Sequence, residues 1–340
     1  MESIYYVAAW ACHRRCRHCY EDRFRPYAPG ELAGVIREAT SNMPRIVDHL
    51  PERMTYLDRS DLRADGSMVE KQGRIIVSGG EFLLEALREP VSYPLVERLV
   101  ARYRGVGGVK VVVQTTGDVL TDAVVDALLE RGVYMISVAS IDDYHVGLEG
   151  AAKQRAFVEQ LTQLFERHGM REATGFEGPG PVYHFFGAQP GSWIGKLWPR
   201  GRAWENGLST ATLADNFCNR WSGGLGFLEH RFDGSEVSIE PDGNVYPCCV
   251  KTRLPIGNLL EQNLIDVLDS LRGDPVYEAI NAGRPERMGE AWGWDEARFA
   301  LESRSVTPQG RPYQNLCIGC DRFHDKVLAP RIAMAKERRR

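Results

Sequence analysis

The run CHRRCRHC at residues 12–19 constrains this chain more than any other stretch. It sets Cys12, Cys16 and Cys19 in the spacing C-x3-C-x2-C. Three thiols this close in sequence can face one metal centre. Iron–sulfur clusters take Cys thiolates, and a cluster held by only three of them keeps one iron open to a small molecule. Zinc also takes clustered Cys, but its structural sites usually pair two C-x2-C units, which this loop does not do.

The 340 residues suffice for one large domain and a smaller one. With 43% apolar and 26% charged residues, the composition is that of a globular protein. No apolar run reaches the ~20 residues of a membrane span. Residues 1–11 are too short for a signal peptide, so a cytoplasmic location is expected, where thiols stay reduced. A net charge of −4 gives no basic field for nucleic acid. The basic run Lys336 to Arg340 reads as a solvated tail.

Apolar, β-branched runs alternate with helix-spaced stretches. Strands are expected at Ile4 to Trp10, Arg74 to Ser78, Gly108 to Gln114, Val133 to Ile141 and Pro181 to Phe186. Helices are expected over 30–50, 91–104, 121–132 and 150–168, and a polar excursion over 51–72. This alternation implies parallel βαβ units. The chemistry should then gather at the C-terminal strand ends, where the cysteine loop and Gly79-Gly80-Glu81 fall. Residues 187–210, rich in Gly, Pro and Trp, mark a domain boundary.

The C-x3-C-x2-C loop resembles the signature of the radical S-adenosylmethionine (radical SAM) enzymes. That resemblance implies a 4Fe-4S cluster on Cys12, Cys16 and Cys19 whose open iron binds SAM. It implies cleavage of SAM to a 5′-deoxyadenosyl radical that takes a hydrogen atom from the substrate. It also implies a fold, a partial (βα)6 TIM-like barrel over residues 1–205. His18 stands where the family has an aromatic ring near the adenine. Gly79, Gly80 and Glu81 resemble the motif that meets the SAM amino group. Gln114 and Thr116 are candidates for the ribose, and Arg202 for the SAM carboxylate or the substrate, with a surface salt bridge as its other reading. Ser140 and Asp142 end a strand and are candidates to face the pocket.

Five cysteines follow: Cys218, Cys248, Cys249, Cys317 and Cys320. Residues 237–248, VSIEPDGNVYPC, read as a hairpin with an Asp-Gly turn. The set resembles the twitch/SPASM auxiliary-cluster modules, here over residues 206–330 with 331–340 as the basic tail. Five Cys are too few for the seven-Cys, two-cluster form. The resemblance therefore implies one auxiliary 4Fe-4S cluster, two clusters in all, on Cys218, Cys248, Cys317 and Cys320. Cys249 is left over. On an extended strand it points away from Cys248. It is either a small buried hydrophobe or a hydrogen-atom donor that quenches a carbon radical.

In plan the chain resembles the radical SAM epimerases of aminoglycoside antibiotic biosynthesis, which convert neomycin C to neomycin B. This implies a polycationic substrate, a pocket rich in carboxylates, and an electron donor such as a flavodoxin or ferredoxin. Asp142, Asp143, Glu177, Glu229 and Glu240 are the candidate acids. A dehydrogenase on the same frame would oxidise a sugar or cyclitol hydroxyl without a thiol donor. A peptide maturase would need a peptide-binding domain, for which the 11 residues before Cys12 leave no room. A zinc-stabilised binding module is the non-catalytic reading.

Overall fold

The alternating apolar runs of the sequence form one curved, mostly parallel sheet. The computed structural model describes residues 1–188, 195–219 and 226–332. The Lys336 to Arg340 tail lies outside the described residues.

In chain order, β1 (Ser3–Ala9) leads through the cysteine loop to α1 (Pro29–Asp48). The expected excursion is a hairpin, β2 (Thr55–Leu62) and β3 (Met68–Gln72), paired antiparallel apart from the main sheet. Its residues are largely half-buried or exposed, so its sequence lacks the apolar signal of a core strand. Next come β4 (Arg74–Gly79), the short α2 (Glu85–Leu87), α3 (Tyr93–Tyr103) and β5 (Lys110–Thr115). After them lie α4 (Asp122–Glu130), β6 (Met135–Val138), α5 (Ala151–Arg167), β7 (Arg171–Glu172) and β8 (Val182–Phe185). The C-terminal half holds α6 (Gly201–Glu205), β9 (Glu236–Ile239), β10 (Asn244–Tyr246), β11 (Gly257–Asn258), α7 (Leu264–Ser270) and α8 (Pro275–Asn281). It ends with α9 (Glu296–Glu302), β12 (Arg304–Val306), β13 (Pro312–Gln314) and α10 (Leu316–Phe323).

The sheet runs β11-β10-β9-β1-β4-β5-β6-β8-β7, with β9 through β7 all parallel. β9 pairs in parallel with β1, matching Ser3 to Glu236 and Tyr6 to Ile239. β9 thus adds a seventh parallel strand, from beyond residue 205, to the six formed by β1, β4, β5, β6, β7 and β8. The sheet runs through the expected boundary instead of ending there.

Successive strand residues point to opposite faces, and the sequence uses both. Ile4, Tyr6, Ile75, Val77, Val111, Val113, Ile136 and Val138 are buried in the main core. Burying each such side chain contributes about 1.5–3 kcal/mol. Their alternates, among them Tyr5, Ser78, Gln114, Ser137, His184 and Glu236, face inward onto a cavity. No described helix is long and apolar enough to cross a membrane.

Candidate functional site: two cysteine groups and the cavity beside them

The concave face of the sheet encloses a cavity of about 960 Å³. Cys12, Cys16 and Cys19 line it, as do Gly79, Gly80, Gln114, Thr116, Asp142 and Arg202. Its walls include Tyr5, Tyr20, Phe176, Phe185, Phe186 and Trp198.

The cysteine loop is held from two sides. Below it, a Cβ on Gly80 would lie 2.5 Å from Ala11 O and 2.6 Å from Cys12 Cβ. The Gly79-Gly80 pair thus lets the end of β4 press against the loop, a steric role beside the expected cofactor contact. Above it, Gly201 has φ +45°, and a side chain there would meet Cys19 O and Tyr20 O. Arg202 follows and is 5% exposed. Its guanidinium donates to Cys16 O (Nε, 2.9 Å), Phe24 O (2.8 Å) and Asp22 O (3.4 Å). Arg202 is a buried anchor of the loop backbone, and its guanidinium also pairs with the Asp22 carboxylate at 3.8 Å. Burial pushes the Cys12 thiol up to about 12 and the Cys19 thiol up to about 11, and both interact electrostatically with Cys16. Three close thiols are the donor set an iron–sulfur cluster takes.

Glu81 does not line the cavity. Its carboxylate is 1% exposed and accepts from Leu83 N, Thr115 Oγ1, Thr116 N and Thr116 Oγ1 at 2.6–2.9 Å. It ties the end of β4 to the end of β5. Gln114 faces the cavity, with Oε1 accepting from Tyr5 (2.7 Å) and Ser78 (3.0 Å). Ser140 is fully buried and donates to Thr116 O at 2.7 Å, so it braces the strand end.

His18 stacks on Tyr144 at 5.3 Å and meets His145 edge-on at 4.6 Å. Burial, with the neighbouring His145, lowers its pKa to about 4, so the ring is neutral. Asp142 Oδ1 accepts from Tyr144 N, His145 N and His145 Nδ1, and Oδ2 from Ala188 N. Burial opposes its charge, but the His145 hydrogen bond and charge prevail and hold it at about 2. His18, Asp142 and His145 bring ligand atoms within 4.8 Å of one another. His145 had no sequence signal beyond standing three residues after Asp142.

The remaining cysteines divide. Cys218 interacts electrostatically with Cys248, Cys317 and Cys320, and Cys320 with Cys317 and Cys248. Three distant segments deliver this group. Cys248 follows β10, Cys218 sits in a short turn at Phe217–Asn219, and Cys317 and Cys320 lie one turn apart on α10. Asn315 caps α10, accepting from Cys317 N at 2.9 Å. None of the four lines the cavity; Cys249 does. Cys249 interacts with Glu236, and with Tyr5 and Tyr20 on the cavity wall. Burial and then Glu236 push its thiol well above the ordinary range, which keeps it S–H at neutral pH.

A salt-bridge strut joins the two cysteine loops. Lys251, two residues after Cys249, pairs with Glu240 and with Glu21, two residues after Cys19. Arg23 closes the network on Glu21 and Glu240, both at 2.8 Å, and lies 3.5 Å over the Trp10 ring. Glu240, 1% exposed, is therefore part of this strut.

The expected carboxylate-rich pocket is corrected. Glu177 is 87% exposed on the surface beside Lys71. Glu229 pairs with Arg59 on the surface, and Asp143 accepts from Gly150 N and Gln154 Nε2. Among the described residues, the carboxylates lining the cavity are Asp142 and Glu236, against Arg14, Arg74, Lys196 and Arg202. The inward position of Glu236 follows from its register on β9, which sequence alone did not place beside β1.

Residues 232–288 match the SPASM family, an iron–sulfur cluster-binding domain. No curated protein matches the chain. Among solved structures, BtrN in complex with AdoMet and 2-DOIA is 15% identical, covering 83% of this chain and 88% of that one at a TM-score of 0.44. A structure of anSMEcpe with bound AdoMet and Cp18Cys peptide is 13% identical, covering 98% and 99% at 0.42. Streptococcus suis SuiB bound to precursor peptide SuiA is 11% identical, covering 82% and 66% at 0.31. The match gives residues 232–288 the likeness of an iron–sulfur cluster-binding domain, in a chain that also carries the C-x3-C-x2-C loop.

Proposed function

We propose that this protein is a radical SAM epimerase that inverts one carbon of an aminoglycoside sugar, as in neomycin C to neomycin B. In this reading Cys12, Cys16 and Cys19 hold one 4Fe-4S cluster, and Cys218, Cys248, Cys317 and Cys320 a second. SAM bound at the first site supplies, on one-electron reduction, the 5′-deoxyadenosyl radical that takes hydrogen from the substrate carbon. Cys249 then gives its S–H hydrogen to that carbon from the opposite face, leaving a thiyl. One electron, from a donor of the flavodoxin or ferredoxin class, and one proton restore the thiol.

The observation that carries the reading is the division of the adjacent cysteines. Cys249 shares a cavity with the first three cysteines, and Cys248 lies with the other group. A protonated thiol facing the substrate space is what an epimerase needs and a dehydrogenase does not. Aromatic walls beside Ser78, Gln114, Ser137, His184 and Glu236 suit a sugar, whose C–H faces stack and whose hydroxyls bond. Polycation recognition by carboxylates has less support, since two acids face the cavity.

The test is anaerobic turnover of the reconstituted protein in D2O with reductant, SAM and neomycin C, read by mass spectrometry. A product about one mass unit heavier, with deuterium on carbon, is expected from an exchangeable thiol donor. A product two units lighter would replace the epimerase with a dehydrogenase. SAM cleavage with the sugar unchanged would remove the aminoglycoside and keep the radical chemistry.

A further inference from the structure

Beside the second cysteine group lies an arginine that the proposed reaction leaves without a role. Arg200 is buried to 15% side-chain exposure. It forms a two-pronged pair with Asp321, Nη1 to Oδ2 at 2.8 Å and Nη2 to Oδ1 at 3.0 Å. Asp321 directly follows Cys320 on α10. The same guanidinium donates to Val250 O at 3.0 Å and to Lys251 O at 3.3 Å, so it also closes the turn that carries Cys248 and Cys249. One side chain thus spans two of the segments that deliver the second thiol group.

We infer that Arg200 and Asp321 set the reduction potential of the cluster held by Cys218, Cys248, Cys317 and Cys320, Arg200 raising it and Asp321 lowering it. This rests on the two-cluster reading above. The four cysteines lie together, Cys248 buried and the other three half-buried, and draw on three segments, the donor set that a fully ligated cluster requires. The field of Arg200 reaches Cys248 and Cys317 and favours their thiolates. A cluster gains one negative charge when it takes one electron, and no proton need move. A buried cation nearby favours the reduced form, and an anion disfavours it, most strongly where water is scarce. The pair makes the two effects separable, because each partner can be neutralised alone. This role makes Arg200 a positioning and tuning residue for the second cluster.

The experiment uses the full-length chain with Cys12, Cys16 and Cys19 all changed to Ala, so that only the second cluster can load. Its potential is read by an anaerobic redox titration with electron paramagnetic resonance, without SAM or substrate. Arg200→Gln should shift the oxidised-to-reduced ratio at fixed potential at least about tenfold toward oxidised, 59 mV for one electron. Asp321→Asn should shift it toward reduced, and Arg200→Lys, which keeps the charge, should stay within about threefold of the parent. Loosened packing would not move the two neutral variants in opposite directions. Unchanged potentials in both, or shifts of the same sign, overturn the inference and leave the cluster standing. A parent protein that loads no cluster overturns the two-cluster reading and this inference with it.

Discussion

The two cysteine groups are built in opposite ways. Cys12, Cys16 and Cys19 sit on one loop, eight residues from first to last, so local backbone geometry alone brings them together. Cys218, Cys248, Cys317 and Cys320 span more than a hundred residues and meet only when α10 comes beside the turn that follows β10, where Arg200 bridges Asp321 and Val250 O. The first group opens onto the cavity, and the second is closed off from it. A site that must admit a small molecule keeps its mouth on the cavity, whereas a site that only holds or passes electrons does not. Cys249 stands at the border, one residue from the closed group and facing the open one.

This contrast breaks most sharply at the open group. Changing Cys12, Cys16 and Cys19 to Ala should abolish SAM cleavage, measured as 5′-deoxyadenosine, while leaving the second group able to bind iron. Cys249→Ala should retain SAM cleavage and lose epimerised product by roughly a hundredfold, about 2.7 kcal/mol of barrier. Chromatography of nucleoside and sugar products separates those two outcomes. Arg202→Leu strips three backbone carbonyls of a buried charged donor, and should cost the apo protein about 3 kcal/mol in urea unfolding. It should disorder the open group first, read as loss of iron from that cluster. At the small end, Glu177→Gln should leave activity unchanged and stability within about 0.5 kcal/mol, since its side chain lies on the surface.

The same contrast marks what was legible in the sequence. The first group needed only spacing, and the parallel α/β frame needed only the alternation of apolar strands with helices. Asp142 was legible as a strand-end acid and does line the cavity, but the other acids were not, because burial and partner choice depend on register and packing. Glu81 and Glu177 were both candidate ligands; one is locked into Thr115 and Thr116, and the other lies in solvent. Glu236, which does face the cavity, became visible only when β9 paired with β1. Arg200, Lys251 and His145 likewise act through neighbours far away in sequence or through turn geometry, and no local pattern marks them. The adjacent pair Cys248 and Cys249 was ambiguous by spacing, and the fold separates it by facing.

Metal content tests that separation without any substrate. Full-length protein, Cys248→Ala and Cys249→Ala would be reconstituted anaerobically and assayed for iron and sulfide. Cys249→Ala should match the parent, and Cys248→Ala should lose iron from the second site while keeping the first. The reverse pattern would make Cys249 the ligand and remove it as hydrogen donor.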